Sequence, residues 1–121
     1  MDFELSEEQG AIQKMVREFA EREIAPVAQG LDEREEFPAD IVRKLADLGL
    51  MGILFPKEFG GAAMDYISYA LILEELGRYD ASVALTVESH NSLCSNHIYL
   101  VGTEAQRRKY LPQLASGRVL G

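Results

Sequence analysis

The sequence predicts an all-α domain, a bundle of about five helices. Over five stretches of the chain, apolar residues recur every three to five positions, which is the spacing that gives a helix one apolar face. Residues able to cap a helix precede most of these stretches, glycines follow several of them, and the links are short. With 121 residues, of which 47% are apolar, the chain can bury a core of its own.

The first helix is expected over residues 7–28, because Ser6 and Gln9 can form a capping box at its start. Its apolar positions are Ile12, Val16, Phe19, Ile24 and Val27. A charged, solvated connection should occupy residues 31–37. Pro38 then suits the first turn of a second, shorter helix that Gly49 ends. Ile41, Leu45 and Leu48 share one face of that helix.

Residues 50–64 combine an apolar run with Pro56, Gly60 and Gly61, which predicts a packed loop. Asp65 can cap a third helix that runs to about residue 76 and ends at Gly77. The inward positions expected on that helix are Ile67, Leu71 and Ile72. Asp80 can cap a fourth helix that Gly102 closes. Thr103 and Gln106 repeat the capping-box pattern for a fifth helix, which reaches about residue 115 and is followed by Ser116 and Gly117.

The fourth helix, residues 81–101, is the most informative segment because Glu88 is its single charged residue. A surface helix would carry more charge. One apolar stripe comprises Val83, Val87, Cys94, Ile98 and Val101, and a second, semi-polar stripe comprises Thr86, His90, Leu93 and His97. We expect one stripe to meet the core and the other to face a partner domain, a subunit or a ligand tunnel. A central helix whose polar groups satisfy one another is the alternative.

Charge and composition exclude several classes of function. The net charge is −8, which disfavours nonspecific nucleic-acid binding. No apolar run reaches the ~20 residues that cross a bilayer, and the acidic start is unlike a targeting peptide. With Cys94 as its single cysteine, the chain cannot form an internal disulfide. A cytoplasmic protein without a membrane segment is expected.

Few residues combine into a chemical site. His90 and Cys94 are four residues apart and could form an activated thiolate, but core filling is the favoured interpretation of the cysteine. His90 and His97 are about 10 Å apart along a helix, so no metal site is predicted. The adjacent Glu74 and Glu75 point in different directions and favour a surface or interface role over paired catalysis. No catalytic residue is assigned within the chain.

Two further features are weak indications of a ligand. Arg107, Arg108 and Lys109 most simply form a solvated face, although a phosphate-bearing ligand or an acidic neighbouring domain is an alternative. Gly60 and Gly61 lack the further glycines of a nucleotide-binding fingerprint. No cofactor-binding residue is therefore predicted from these motifs.

Several stretches, in order across nearly the whole chain, resemble the N-terminal helical domain of the acyl-CoA dehydrogenases. The stretches are Phe3 to Gln9, Leu48 to Gly52, Pro56 to Gly61, Glu74 to Leu76, Asp80 to Ser82, His90 to Leu93, Gly102 to Gln106, Tyr110 to Pro112 and Leu114 to Gly117. Two positions depart from the family pattern, Phe59 for a common tyrosine and Ala63 for a usual glycine. These changes put only the geometry of the loop in doubt.

The resemblance implies an FAD-dependent enzyme, about three times this length, that dehydrogenates acyl-CoA thioesters. Residues 1–117 would be its N-terminal helical domain, and residues 118–121 would begin the following β domain. The catalytic base and most flavin contacts would lie in the β domain and a C-terminal helical domain. The resemblance also implies a homo-oligomer that passes electrons to an electron-transfer flavoprotein. The chain alone is expected neither to hold FAD nor to turn over acyl-CoA.

By position in the family, Leu85, Thr86, Ser89 and Leu93 match residues that line the acyl chain, and His90 is a weaker candidate. A small residue at Ser89 would leave room for the acyl tail, and a dry, weakly polar surface suits such a ligand. Two alternatives stay open. One is a non-enzymatic helical interaction module of the same fold, and the other is a related acyl-CoA oxidase, flavin monooxygenase or nitroalkane oxidase.

Overall fold

The structure, a computed structural model, describes all of residues 1–121, and its regular secondary structure is entirely helical, without strands. The α-helices are α1 (Glu7–Phe19), α2 (Ala28–Glu33), α3 (Ala39–Asp47), α4 (Tyr66–Gly77), α5 (Ala81–Glu88), α6 (His97–Val101) and α7 (Glu104–Ala115). A π-helical segment, Ala20–Ile24, continues α1, and a second, Ser89–Asn96, joins α5 to α6. The predicted all-α class is confirmed, and all five predicted helices are present.

The predicted helix starts are confirmed in atomic detail. The Ser6 hydroxyl accepts from the Gln9 amide at 3.1 Å, and the Gln9 side chain accepts from the Ser6 amide at 3.0 Å. Thr103 and Gln106 form the same reciprocal pair before α7. Asp65 and Asp80 accept backbone amides at the starts of α4 and α5. These caps satisfy amides that the first helical turn leaves free, so local sequence decides where these helices begin.

Helix ends account for the main departures from the predicted pattern. The first helix stops at residue 24, and α2 occupies part of the expected connection. Val27, Leu48 and Ile67, which were expected to face inward, are 41%, 40% and 56% exposed. Val27 lies in the turn after the π segment, Leu48 follows the last residue of α3, and Ile67 lies in the first turn of α4. A residue at a helix end lacks the neighbouring turn that would cover its side chain.

The core forms where α1 packs on α4 and α4 packs on α5. Its fully buried members are Val16, Ala20, Ile24, Leu45, Leu50, Met51, Ile53, Ile72, Leu76, Val83 and Val87. A smaller cluster of Phe55, Phe59, Leu111 and Ala115 joins the loop to α7. Both clusters therefore use residues of the 50–64 loop as well as residues of the helices.

The loop of residues 50–64 is packed, as predicted, and folds back on itself. The Met64 amide donates to the Ile53 carbonyl at 2.9 Å, and the Ala62 amide donates to the Gly52 carbonyl at 2.6 Å. A Cβ atom at Gly61 would lie 1.9 Å from the Phe55 carbonyl oxygen, so this position requires glycine. Ala63 has a φ of +54°, in the left-handed region that favours glycine. The backbone there keeps the conformation that a glycine would adopt most easily.

Residues 118–121 form a bend and an extended end without a strand partner. The Gly121 amide nevertheless donates to the His90 ring at 3.0 Å. The assignment of residues 118–121 to a following β domain therefore stays a prediction. None of the helices has the length and apolar composition that crossing a membrane requires.

Candidate functional site

The candidate site lies on the long helix, which we define as the continuous helical stretch of residues 81–101. Its outer face consists of Leu85, Thr86, Ser89 and Leu93. Leu85 is 62% exposed and Leu93 is 68% exposed, whereas Thr86 and Ser89 are half-buried. The structure thus brings four of the five predicted site residues to one side of one helix.

The polar groups near the outer face are satisfied within the chain. The Thr86 hydroxyl donates to the Ser82 carbonyl at 2.9 Å. The Ser89 and Ser92 hydroxyls donate to the two carboxylate oxygens of Glu88, at 3.4 and 2.5 Å. Because hydroxyls that already have a partner do not need water, an apolar molecule could cover this face without leaving them unpaired.

His90, the fifth predicted residue, lies on the inner side of the long helix and is completely buried. Its Nε2 atom is 3.0 Å from the Met51 carbonyl and 2.9 Å from the Leu114 carbonyl. Nδ1 accepts from the Gly121 amide. If Nε2 carries the single ring proton, it donates to the two carbonyls, and the unprotonated Nδ1 accepts from the Gly121 amide. His90 therefore joins the loop to the end of α7, and its ring has no exposed surface for a ligand.

Burial lowers the pKa of His90 below its usual value, and the bonds from the ring to the Leu114 and Met51 carbonyls oppose that shift. The free energy lost when the imidazolium leaves water exceeds the free energy gained from its bonds to the two carbonyl oxygens. The ring is therefore neutral at pH 7. Protonation would also place a second N–H against the Gly121 amide, which is itself a donor.

Asn91 is a buried functional group that sequence reasoning missed. It is completely buried beside His90. Its Oδ1 atom accepts from the Ile53 amide at 2.9 Å. Its Nδ2 group donates to the Leu50 and Val87 carbonyls, each at 3.0 Å. The available signal was an asparagine in a helix with a single charged residue, because such a residue needs partners once it is buried.

The π-helical segment changes which residues face the core. The predicted apolar stripe followed α-helical spacing through Cys94, Ile98 and Val101, but Val101 is 72% exposed. The buried positions instead step by four, at Val83, Val87, Asn91 and Ser95. The wider π turn between residues 89 and 96 accounts for this correction, because it takes more residues per turn than an α-helix.

Two surface grooves lie near the long helix. The larger has a volume of about 610 Å³ and includes Thr86 in its wall, together with the acidic Asp32, Glu35, Glu36 and Asp80. The smaller has a volume of about 280 Å³ and is lined by residues 97–110, including Ile98, Val101 and Tyr110. Of the outer-face residues, Thr86 alone lines one of these grooves. The outer face is thus an open wall in this chain.

The other candidate groups are occupied by structural contacts. Glu75 is completely buried and binds Arg17 through two hydrogen bonds of 2.6 and 3.0 Å, and these contacts lower the pKa of its carboxyl. Glu74 is exposed, so the two carboxylates do not converge. Arg108 lies 2.7 Å from Glu104, and Arg107 stacks over the Tyr99 ring. No group of three histidine, cysteine or acidic side chains could hold a metal ion.

Comparison with known proteins places this geometry in a family. The family described as "Acyl-CoA dehydrogenase, N-terminal domain" matches residues 6–118. The chain belongs to this family. A short-chain-specific acyl-CoA dehydrogenase from Clostridium acetobutylicum is 46% identical over all 121 residues, which span 32% of that relative. Acyl-CoA dehydrogenases are oxidoreductases, and this chain corresponds to their N-terminal domain, about a third of the relative's length.

Two solved structures have the same fold. A chain of a structure described as the electron transferring flavoprotein of Acidaminococcus fermentans matches with a TM-score of 0.95 and 40% identity, over 100% of this chain and 32% of its own. An acyl-CoA dehydrogenase from Bacillus anthracis, solved in complex with FAD, matches with a TM-score of 0.89 and 36% identity, over 97% of this chain and 20% of its own. The predicted resemblance is confirmed by all three comparisons.

Proposed function

We propose that this chain is the N-terminal domain of an FAD-dependent acyl-CoA dehydrogenase, in which it forms one wall of the acyl pocket. The observation that carries the proposal is the outer face of the long helix. That face exposes Leu85 and Leu93, while the neighbouring hydroxyls have partners inside the chain. An acyl tail needs such a dry, largely uncharged surface, and the carboxylate of Glu88, which accepts from Ser89, is the one charge beside it. The reaction would be the α,β-dehydrogenation of an acyl-CoA thioester.

In this proposal, Leu85, Thr86, Ser89 and Leu93 touch the acyl tail. Leu85 and Leu93 supply apolar contact area, and the small side chain of Ser89 leaves a recess between them. His90 is not among the residues that touch the acyl tail. It lies on the inner side of the long helix, where its ring is buried against Met51 and Leu114. The short-chain specificity of the Clostridium relative supports a short acyl group as the first substrate to test.

Neither groove of this chain is suited to be the principal binding site for FAD. A flavin diphosphate needs backbone amides or basic groups around it, but the larger groove is lined by four acidic side chains. The smaller groove, of about 280 Å³, falls below the usual size of a cofactor pocket. We therefore propose that FAD and the catalytic base are held by the β and C-terminal helical domains of a longer protein.

Assembly and electron transfer are part of the same proposal. The fold match to a chain in an electron transferring flavoprotein structure supports an electron-transfer flavoprotein as the acceptor. The exposed apolar residues Leu100 and Val101 support packing against further domains, and a homo-oligomer is proposed by family resemblance. A single, unpaired cysteine suits the proposed cytoplasmic location.

The alternative function is a non-enzymatic interaction module of the same fold. The specific observation in its favour is that the exposed apolar residues would serve equally well to bind another protein. The two functions differ in chemistry, because a module holds no flavin and turns over no thioester.

The test uses the native gene product, purified from its source, with its intact mass, flavin absorbance and oxidation of butyryl-CoA by a dye acceptor. We expect a mass about three times 13.5 kDa, bound flavin and turnover. Leu93→Lys should raise the KM for butyryl-CoA about tenfold or more, because it places an ammonium group against the acyl tail. Leu5→Lys, a matched change at an exposed leucine outside the long helix, should leave KM unchanged.

Two results would count against the proposal. A gene product near 13.5 kDa without flavin would favour the interaction module. Turnover by Leu93→Lys with an unchanged KM would remove the outer face from the acyl pocket, even if the enzyme class were correct.

A further inference from the structure

Along the long helix, four of the buried residues and three residues of the outer face are each spaced four apart. Val83, Val87, Asn91 and Ser95 are buried. On the other side, Leu85, Ser89 and Leu93 follow the same interval. In an α-helix each residue turns the chain by about 100°, so each step of four drifts by about 40°. Over eight residues Leu93 would lie about 80° from Leu85, on a different side of the helix.

The π-helical segment Ser89–Asn96 removes most of this drift. A π turn closes between residues five apart, so a step of four falls short of a full turn and offsets the excess of the α-helical part. Leu85 and Leu93 are both strongly exposed, at 62% and 68%, as expected for two side chains on one side. The straight alignment of the outer face therefore depends on the π segment.

Asn91 lies inside this segment and ties it to the loop beneath. Its side chain accepts from Ile53 and donates to Leu50, two residues of the loop, and also donates to Val87 one turn earlier in its own helix. If the helix rotated back to α-helical register, this side chain would turn away. The Ile53 amide and the Leu50 carbonyl would then be left buried without these hydrogen-bond partners.

We propose that Asn91 is a positioning residue for acyl-chain selection. Its three hydrogen bonds hold the π register, and the π register keeps Leu93 in line with Leu85 and Ser89. Asn91 itself touches no substrate. The proposal rests on the proposed function of the outer face as an acyl-pocket wall. His90, in the same segment, also bonds residues outside the helix, Met51 and Leu114, but it makes no bond along the helix as Asn91 does to Val87.

The test compares acyl-length preference in the native gene product, with butyryl-CoA and octanoyl-CoA as the two probes. The variants are Asn91→Ser, which shortens the side chain, and Asn91→Leu, which keeps the branching of the side chain but removes its hydrogen-bonding groups. The matched control is Asn96→Ser, since Asn96 lies in the same π segment but bonds only the Tyr66 hydroxyl, at 3.5 Å, near the surface. The readout is the ratio of kcat/KM for the two thioesters.

We expect both Asn91 variants to reduce the preference for the favoured thioester about tenfold, the effect of one misplaced methylene in an apolar pocket, while Asn96→Ser keeps the wild-type ratio. A merely structural role would lower both kcat/KM values by the same factor, because unfolded enzyme is lost equally to both substrates. An unchanged ratio in the Asn91 variants overturns the proposal. So does failure of both variants to fold, since Asn91 would then serve stability alone.

Failure of the proposed function gives a different result. If the wild-type gene product oxidises neither thioester, the enzyme assignment fails, and a crystal structure of Asn91→Ser decides the clamp separately. A π segment lost or shifted with Leu93 supports the clamp. An unchanged π segment and Leu93 position overturn it.

Discussion

On the inner side of the long helix His90 and Asn91 are completely buried, whereas on the outer side Leu85 and Leu93 are 62% and 68% exposed. The His90 and Asn91 side chains bond backbone atoms of Leu50, Met51, Ile53 and Leu114. The outer leucines have no comparable cover. Polar side chains can be buried where the backbone supplies hydrogen-bond partners. Exposed apolar side chains are typical of a surface that another domain, subunit or ligand covers. Substitutions on the two sides should therefore have opposite consequences for stability and for association.

The largest effect is expected from Asn91→Leu. This change keeps the branching of the side chain but leaves the Ile53 amide and the Leu50 carbonyl without partners. The free energy of unfolding should fall by about 4 kcal/mol, measured by urea denaturation. Asn96→Leu, a matched change near the surface, should alter it by less than about 0.5 kcal/mol. If Asn91→Leu and Asn96→Leu lowered the free energy of unfolding equally, the hydrogen bonds of Asn91 would not account for the loss.

The second effect concerns Glu75. A buried charge, like a buried amide, should be destabilising when its partner is removed. Arg17→Met removes both hydrogen bonds to a completely buried carboxylate, so the urea midpoint should fall clearly at pH 7. The double variant Arg17→Met/Glu75→Leu should recover most of the loss, because no unpaired charge then remains. Lys14→Met should change little, since Lys14 and its partner Glu18 are both exposed. Failure of the double variant to recover would show that packing, and not the unpaired carboxylate, caused the loss.

These buried polar contacts also mark the limit of prediction from sequence. Helix starts were predictable because Ser6, Asp65 and Thr103 act on amides within three residues. The pair of Arg17 and Glu75 joins residues 58 positions apart, and no local pattern encodes such a contact. Periodicity assigned Glu75 to a surface or interface because it reports which face a residue occupies, not which side chain covers that face.

In the candidate site, too, some features were predictable from the sequence and others were not. The uncharged character of the long helix and the outer positions Leu85 and Leu93 were readable from composition and family resemblance. The inward position of His90 was not, because α-helical spacing groups it with Leu93 and His97, whereas the structure inserts a π segment at Ser89–Asn96. That segment is bonded to a loop about 40 residues earlier, and these bonds appear only once the chain is folded.

A third, smaller effect is a dependence of stability on pH through His90. Burial lowers its pKa in the folded chain, so below the ordinary value of about 6.5 the unfolded state binds the proton more readily. Stability should therefore be full above pH 6.5 and fall as the pH decreases toward the folded-state pKa. The slope from this residue is at most about 1.4 kcal/mol per pH unit.

The measurement is urea denaturation between pH 5 and pH 8 for the wild type and two variants. His90→Gln should be less stable at pH 8 and should lose most of the slope between pH 5 and pH 6.5. His97→Gln, at the exposed second histidine, should retain the slope. A wild-type slope that survives His90→Gln would assign the pH dependence to other groups.

The smallest effect on stability is expected on the outer side. Leu85→Ser and Leu93→Ser each remove apolar surface that is already exposed, so the free energy of unfolding of the chain should change by less than about 0.5 kcal/mol. Self-association should weaken, because fewer apolar groups remain to be covered by a second copy. Sedimentation velocity at several concentrations measures the association, and Ile72→Ser, at a completely buried position, provides the destabilising reference. If Leu93→Ser destabilised the chain as much as Ile72→Ser, the outer leucines would belong to the core of this chain, and they would no longer be available as a wall for an acyl group.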